Sequence, residues 1–144
     1  MRLFVRPADG EEWPALRSVR HEVFVVGQNV PAAEEEDGRD PDAVHFAATA
    51  DGKVVGTARL RIVDGKGKFE RFAVMPSFRG LGLGEALVRV AEAEARSRGL
   101  RQGRLHAQIQ VEGFYERLGW RRVGEPFDEA GIMHVAMERS LSGS

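Results

Sequence analysis

Gly80, Gly82 and Gly84 alternate within five residues, between a strand-like run that stops at Pro76 and a long amphipathic stretch. The segment Phe69–Leu87 reads FERFAVMPSFRGLGLGEAL. Without Cβ atoms the backbone there can take positive φ and approach a ligand closely. Several N–H groups then point into one small space at the positive end of a helix. That is an anion site, suited to phosphate or pyrophosphate, and Arg79 adds a full charge at its edge. The competing reading is a glycine-rich turn with no ligand. A Walker loop is excluded because no Gly-Lys-Ser/Thr follows, and the glycine spacing does not give the G-x-G-x-x-G of dinucleotide folds.

Other residues have the chemistry to move protons. Glu70 precedes Val74 by four positions on the same strand-like run, and period-2 alternation predicts that it shares a face with Phe72 and Val74. It is a candidate general base, or a carboxylate paired with Arg59, Arg61 or Arg71. His45 and His134 have the right reference pKa, ~6.5, to accept a proton or meet a substrate at neutral pH. Each is flanked by apolar residues, so a satisfied core histidine is the alternative. Histidines at 21, 45, 106 and 134 lack ligand spacing, and no metal is expected. The acidic run Glu34–Asp42 could present carboxylates to a cationic amine or be a solvated charge run.

The elements that must position these groups follow from periodicity and turn residues. Leu3–Val5 reads as a strand ended by Pro7. Gly10–Phe24 reads as a helix with Asp9 as N-cap and Pro14 in its first turn. Residues 30–43 read as a loop. Val44–Ala50 and Lys53–Val63 form a hairpin about Asp51-Gly52, and Gly65, Lys66 and Gly67 make a second turn. Lys68–Val74 is the next strand. A helix with an apolar stripe of Leu83, Ala86, Leu87, Val90 and Ala91 follows, with Gly99 as its C′ residue. Arg104–Gln108 is a strand, Val111–Leu118 a short helix closed by Gly119, and Trp120–Val123 and Ile132–Glu138 are closing strands. The order β-α-β-β-β-α-β-α-β-β implies an α/β (α+β) domain, a central mixed sheet with helices on its faces, spanning 1–144.

Composition bounds the function. The chain has 144 residues, net charge −1 and no cysteine. That excludes disulfides, thiolate metal sites and a cysteine nucleophile. The near-neutral charge argues against a nucleic-acid partner, which needs a basic surface. Val23–Val26 is the longest notable apolar run, far short of the ~20 residues of a membrane span. With no signal peptide in Met1–Arg6, a soluble cytoplasmic protein is expected.

Arg79-Gly80-Leu81-Gly82-Leu83-Gly84 matches the R/Q-x-x-G-x-G/A signature of the GCN5-related N-acetyltransferases, the GNAT family. Upstream, Ala73-Val74-Met75-Pro76 resembles the family's AV-x-P strand end. Downstream, Phe114-Tyr115-Glu116-Arg117-Leu118-Gly119-Trp120 resembles its FY-x-x-x-GF. Arg20-His21-Glu22-Val23-Phe24-Val25, Asp37-Gly38 with His45, and Gly131-Ile132-Met133-His134-Val135 are similar to its ElaA-like branch. Gly27 stands before Gln28 where that branch usually shows Glu.

The resemblance implies a three-layer αβα sandwich around a mostly antiparallel sheet, and acetyl-CoA as acyl donor. Arg79, Gly80, Leu81, Gly82, Leu83, Gly84 and Glu85 would take the pyrophosphate. The backbone of Phe72, Ala73 and Val74 would pair with pantetheine, while Gln108 and Phe114 would touch the cofactor. Tyr115, the only tyrosine, falls on the family's frequent general-acid position. A phenol of reference pKa ~10 suits a donor to a departing thiolate; the alternative is a ring that only packs. The activity implied is acetyl transfer to a primary amine, of a small molecule, with no covalent enzyme intermediate. Its alternatives are a non-catalytic acyl-CoA-binding module and a protein lysine or N-terminal acetyltransferase. A homodimer is an open expectation for its assembly.

Overall fold

In the computed structural model, described over residues 1–142, one eight-stranded sheet carries helices on both faces. β1 (Leu3–Pro7), β2 (Val44–Ala50), β3 (Lys53–Val63) and β4 (Lys66–Val74) run antiparallel in sequence order. β4 is parallel to β5 (Gln102–Gln108), which pairs antiparallel with β8 (Ile132–Ser140). β6 (Arg121–Arg122) and β7 (Phe127–Glu129) both pair with β8. The sheet is mixed and mostly antiparallel, as expected. β7 is an addition to the expected order. It forms a hairpin with β8 about Ala130 and Gly131, at φ 55° and 80°. Ala at a positive-φ turn position is uncommon, so this turn carries little sequence signal.

Asp9 caps the first helical segment in a capping box with Glu12. A 3-10 turn at Gly10–Glu12 leads into α1 (Trp13–Arg20), and the chain continues as a π-helical stretch over His21–Val26. There the Gly27 N–H reaches back to the Glu22 carbonyl. The predicted helix therefore exists but widens in its second half. The loop at 30–43 contains α2 (Ala32–Glu35) and a 3-10 turn at Asp40–Asp42. α3 (Leu83–Ser97) follows the glycine loop, and α4 (Glu112–Arg117) is shorter than expected because Ile109–Val111 is a 3-10 turn.

The two sheet faces have separate cores. Phe46, Ala48, Val55, Leu60, Phe69 and Leu105 pack against Leu83, Leu87, Val88, Ala91 and Ala95 of α3. Val88 and Ala95 are buried in the stripe, whereas Ala86 and Val90 lie at its flank. Val19, Val23 and Ala73 form the second core, under α1. Gly103, where β4 and β5 pair, has no room for a side chain: a Cβ would stand 2.7 Å from the Trp120 ring.

Candidate active site

β4 and β5 are paired only at Gly67–Phe69 and Gly103–Leu105. Beyond Phe69 and Leu105 they part, leaving the β5-facing edge of β4 without a strand partner. The cause lies in β4. Its register with β3 slips between Thr57 and Arg59, and Arg71 takes φ 59°. A left-handed residue inside a strand is a β-bulge, which bends the strand and re-aims the side chains after it. Phe69, Phe72 and Val74 consequently reach the α3 core, while Ala73 joins the α1 core. The expected shared face of Glu70, Phe72 and Val74 is corrected by this bulge: strict alternation does not survive the extra residue.

The divergence opens a cleft of about 1010 Å³. Phe72, Ala73 and Val74 line one wall and Gln108 and His134 the other, with Arg79, Gly80, Gly82, Leu83, Gly84 and Glu85 at one end. Gly80 and Gly82 have φ 80° and 83°, and Gly82 is the N-cap of α3 without any side-chain cap. The first intrahelical bond runs from the Ala86 N–H to the Gly82 carbonyl. The N–H groups of Leu83, Gly84 and Glu85 thus begin the helix with no intrahelical acceptor. Arg79 donates from Nε to the Val74 carbonyl at 3.0 Å, tying the loop to the end of β4. Leu81 is exposed and is not part of the cleft wall.

Phe114 and Tyr115 of α4 close the floor. The Tyr115 ring packs edge-on against Phe72 and Phe114, with centroids 6.3 and 5.0 Å apart. Its hydroxyl makes no hydrogen bond among the described residues. Burial pushes the phenol above its ordinary pKa, because ionisation would leave a charge in an apolar wall. The group therefore stays protonated at neutral pH and is available as a donor.

Glu70 is the ion-paired carboxylate, which removes the basis for calling it a base. Arg61 binds it twice, at 2.6 and 3.1 Å, and Arg59 once, at 3.0 Å. Desolvation raises its pKa, but the Arg61 hydrogen bond and the charges of Arg59, Arg61 and Lys68 outweigh that and hold it below the usual range. A base must gain a proton in the transition state, and two guanidinium groups oppose that.

The same network absorbs Glu35, Asp37 and Asp40 of the acidic run, whereas Glu34, Glu36 and Asp42 are exposed, as a solvated charge run would be. Arg20 holds Glu35 at 2.5 and 3.0 Å and Asp40 at 2.7 Å. Arg59 holds Asp37 at 2.8 and 2.9 Å and Asp40 at 3.0 Å. Arg71 reaches the Glu35 carbonyl at 3.1 Å. Bidentate arginine–carboxylate bonding of this kind fixes orientation as well as charge, and it pins the 32–42 segment beneath β4. His45 sits behind this network. Its Nε2 lies 3.0 Å from the Asp40 carbonyl and its ring 4.9 Å from that of Trp13. It lines a separate cavity of about 750 Å³, outside the cleft, so its expected contact with a substrate there is not carried forward.

His134 does line the cleft, together with Gln28, His106 and Glu129, which the sequence did not place in the site. Gln108 donates to Gln28 Oε1 at 2.8 Å and accepts from Gln110 at 2.7 Å. His106 Nδ1 lies 3.0 Å from Glu129 Oε1, and His134 Nε2 lies 3.6 Å from Glu129 Oε2. The signal for Glu129 was absent because β7 itself was not legible. Gln28 is 80 positions from Gln108 and meets it only through the fold.

A family model described as an acetyltransferase (GNAT) domain matches residues 10–141. An uncharacterized N-acetyltransferase of Bacillus subtilis, YjcF, is 41% identical over 120 residues, covering 83% of this chain and 86% of its own. The crystal structure of an acyl-CoA N-acyltransferase from Pseudomonas aeruginosa superposes with TM-score 0.83 at 31% identity. It covers 96% of this chain and 98% of its own. Escherichia coli ElaA gives TM-score 0.81 at 26% identity, with 96% and 98% coverage.

Proposed function

Because the chain belongs to the GNAT acetyltransferase family, we propose that its cleft binds acetyl-CoA and passes the acetyl group directly to the amine of a small molecule. The observation that carries this reading is the parting of β4 and β5 at the foot of an uncapped helix. An unpaired strand edge offers N–H and C=O groups to the amide-rich pantetheine arm, as an added strand would. The N–H groups opening α3, with Arg79 beside them, suit the pyrophosphate at the arm's end. A backbone N–H near the bulge would then face the thioester oxygen as negative charge grows on it. Tyr115, protonated on the cleft floor, would donate a hydrogen bond to the departing sulfur.

A cleft of about 1010 Å³ matches the upper size of small-molecule sites, roughly 1,000 Å³. The test is thiol release from acetyl-CoA across polyamines, aminosugars, amino acids and short peptides. Saturable release with a small amine is expected. Release with lysine peptides alone would overturn the small-acceptor reading.

A further inference from the structure

The hydrogen-bond roles around Glu129 can be deduced from the acceptors. The Ile132 carbonyl lies 2.7 Å from His134 Nδ1 and can only accept, so Nδ1 carries the proton. In the neutral ring the lone pair is therefore on Nε2, which looks at Glu129 Oε2 across 3.6 Å. Glu129 Oε1 accepts from His106 Nδ1 by the same argument. Phe127 holds both rings: it stacks on His134 at 25° and meets His106 edge-on at 77°. With the ring neutral, two acceptors, Nε2 and Oε2, thus face each other at the cleft wall. Among the described residues the trio does not form a metal-holding group.

We propose that this gap is the acceptor-amine subsite, with His134 as the general base and Glu129 as the residue that positions it. The proposal rests on the acetyltransferase reading above. A primary amine arriving as ammonium donates one N–H to Glu129 Oε2 and one to His134 Nε2, satisfying both acceptors. Nε2 takes the first proton and passes it to water. The neutral nitrogen attacks the thioester carbon and forms the C–N bond. Collapse breaks the C–S bond, the second nitrogen proton ends on sulfur, and free thiol and amide leave. Glu129 stays ionised throughout: the His106 hydrogen bond holds it down against desolvation, helped by the charges of His106 and Arg71, and by that of His134 once its ring has taken the proton. Glu129 of β7 is the charged group that faces the His134 ring, and His106 of β5 and Arg71 of β4 act on Glu129 in turn.

The experiment compares the parent with His134→Gln and Glu129→Gln. Calorimetry with acetyl-CoA should give affinities within about threefold for all three, which also shows that the variants fold. With the amine accepted best in the thiol-release panel, His134→Gln should lower kcat/KM by about 10²–10³-fold, in the range of a lost general base. Glu129→Gln removes the anion that stabilises the imidazolium. The acidic limb of its kcat/KM profile should move to lower pH by about one unit, with a higher KM for the amine. His134→Gln turning over at the parental rate, or an acidic limb unmoved by Glu129→Gln, overturns the proposal. If the parent binds acetyl-CoA but acetylates no amine, it is the acetyltransferase reading that fails. A ring-proton NMR titration of His134 then still decides the pair: a midpoint unchanged by Glu129→Gln overturns it.

Discussion

Tyr115 faces opposing demands. Burial keeps its proton on at neutral pH, which a donor needs, and the same burial penalises the tyrosinate that full transfer would leave behind. Its expected contribution is therefore a hydrogen bond to the leaving sulfur. Tyr115→Phe keeps the ring contacts with Phe72 and Phe114 and removes only the hydroxyl. Acetyl-CoA affinity should stay within a few-fold of the parent, while kcat falls by about 10²-fold, the cost of one well-placed donor. An unchanged kcat would make Tyr115 a packing residue. Glu70 shows the converse lesson. A carboxylate on the right strand has the chemistry of a base, but its neighbours decide otherwise, and those neighbours lie on β3 across the ladder.

The decisive elements are one strand and one turn. β4 carries a left-handed non-glycine residue in mid-strand, Arg71, and the chain tolerates it because the side chain is held at the Glu35 carbonyl. The bulge it makes separates β4 from β5 and produces the cleft. The turn before α3 depends on Gly82, whose φ of 83° is disfavoured for any side chain with a Cβ. A Cβ there meets nothing within 4 Å, so Gly82→Val would act through backbone strain and not through a clash. The strain is about 1–2 kcal/mol, and a β-branched residue relieves it by leaving the left-handed region. The N–H groups that open α3 would then be re-aimed. Acetyl-CoA affinity by calorimetry should drop at least about tenfold, with the far-UV CD spectrum preserved. Parental affinity in Gly82→Val would remove this loop from the coenzyme site.

At the scale of the molecule, four arginines and four carboxylates fasten the 32–42 segment to the sheet: Arg20, Arg59, Arg61 and Arg71 with Glu35, Asp37, Asp40 and Glu70. Desolvation pushes Asp37 and Asp40 up, and their arginine hydrogen bonds and charges bring both below the usual carboxylate value. Depressed carboxylates bind fewer protons folded than unfolded, so their stabilisation is present above the unfolded pKa of ~4 and lost as pH falls through the folded values. The melting temperature should be level from neutral pH down to about pH 5 and decline progressively below it. Asp37→Asn should lower the neutral-pH plateau and shallow the decline. A slope unchanged in that variant would show that the network does not set acid stability.

Local sequence by itself determined the parts of this protein that depend on near neighbours. Asp9 and Glu12 cap a helix because they are three residues apart; Asp51-Gly52 turns a hairpin because both residues accept positive φ. The alternating glycines open α3 without a side-chain cap for the same kind of reason, and the motif they belong to made the family legible before any contact was known. The tertiary structure alone decided which charges are spent and which remain. The Arg71 bulge inverted the faces of β4, and Glu70 lost its freedom to two arginines one strand away. His45 went to the far cavity, and Glu129 came between His106 and His134 through a hairpin whose Ala-Gly turn announces nothing. Most of these outcomes rest on pairings between residues far apart in the chain, from 9 positions in Arg61–Glu70 to 80 in Gln28–Gln108. A side chain's spacing in the chain constrains its helix or strand; its protonation and its partners follow from the strand that happens to lie beside it.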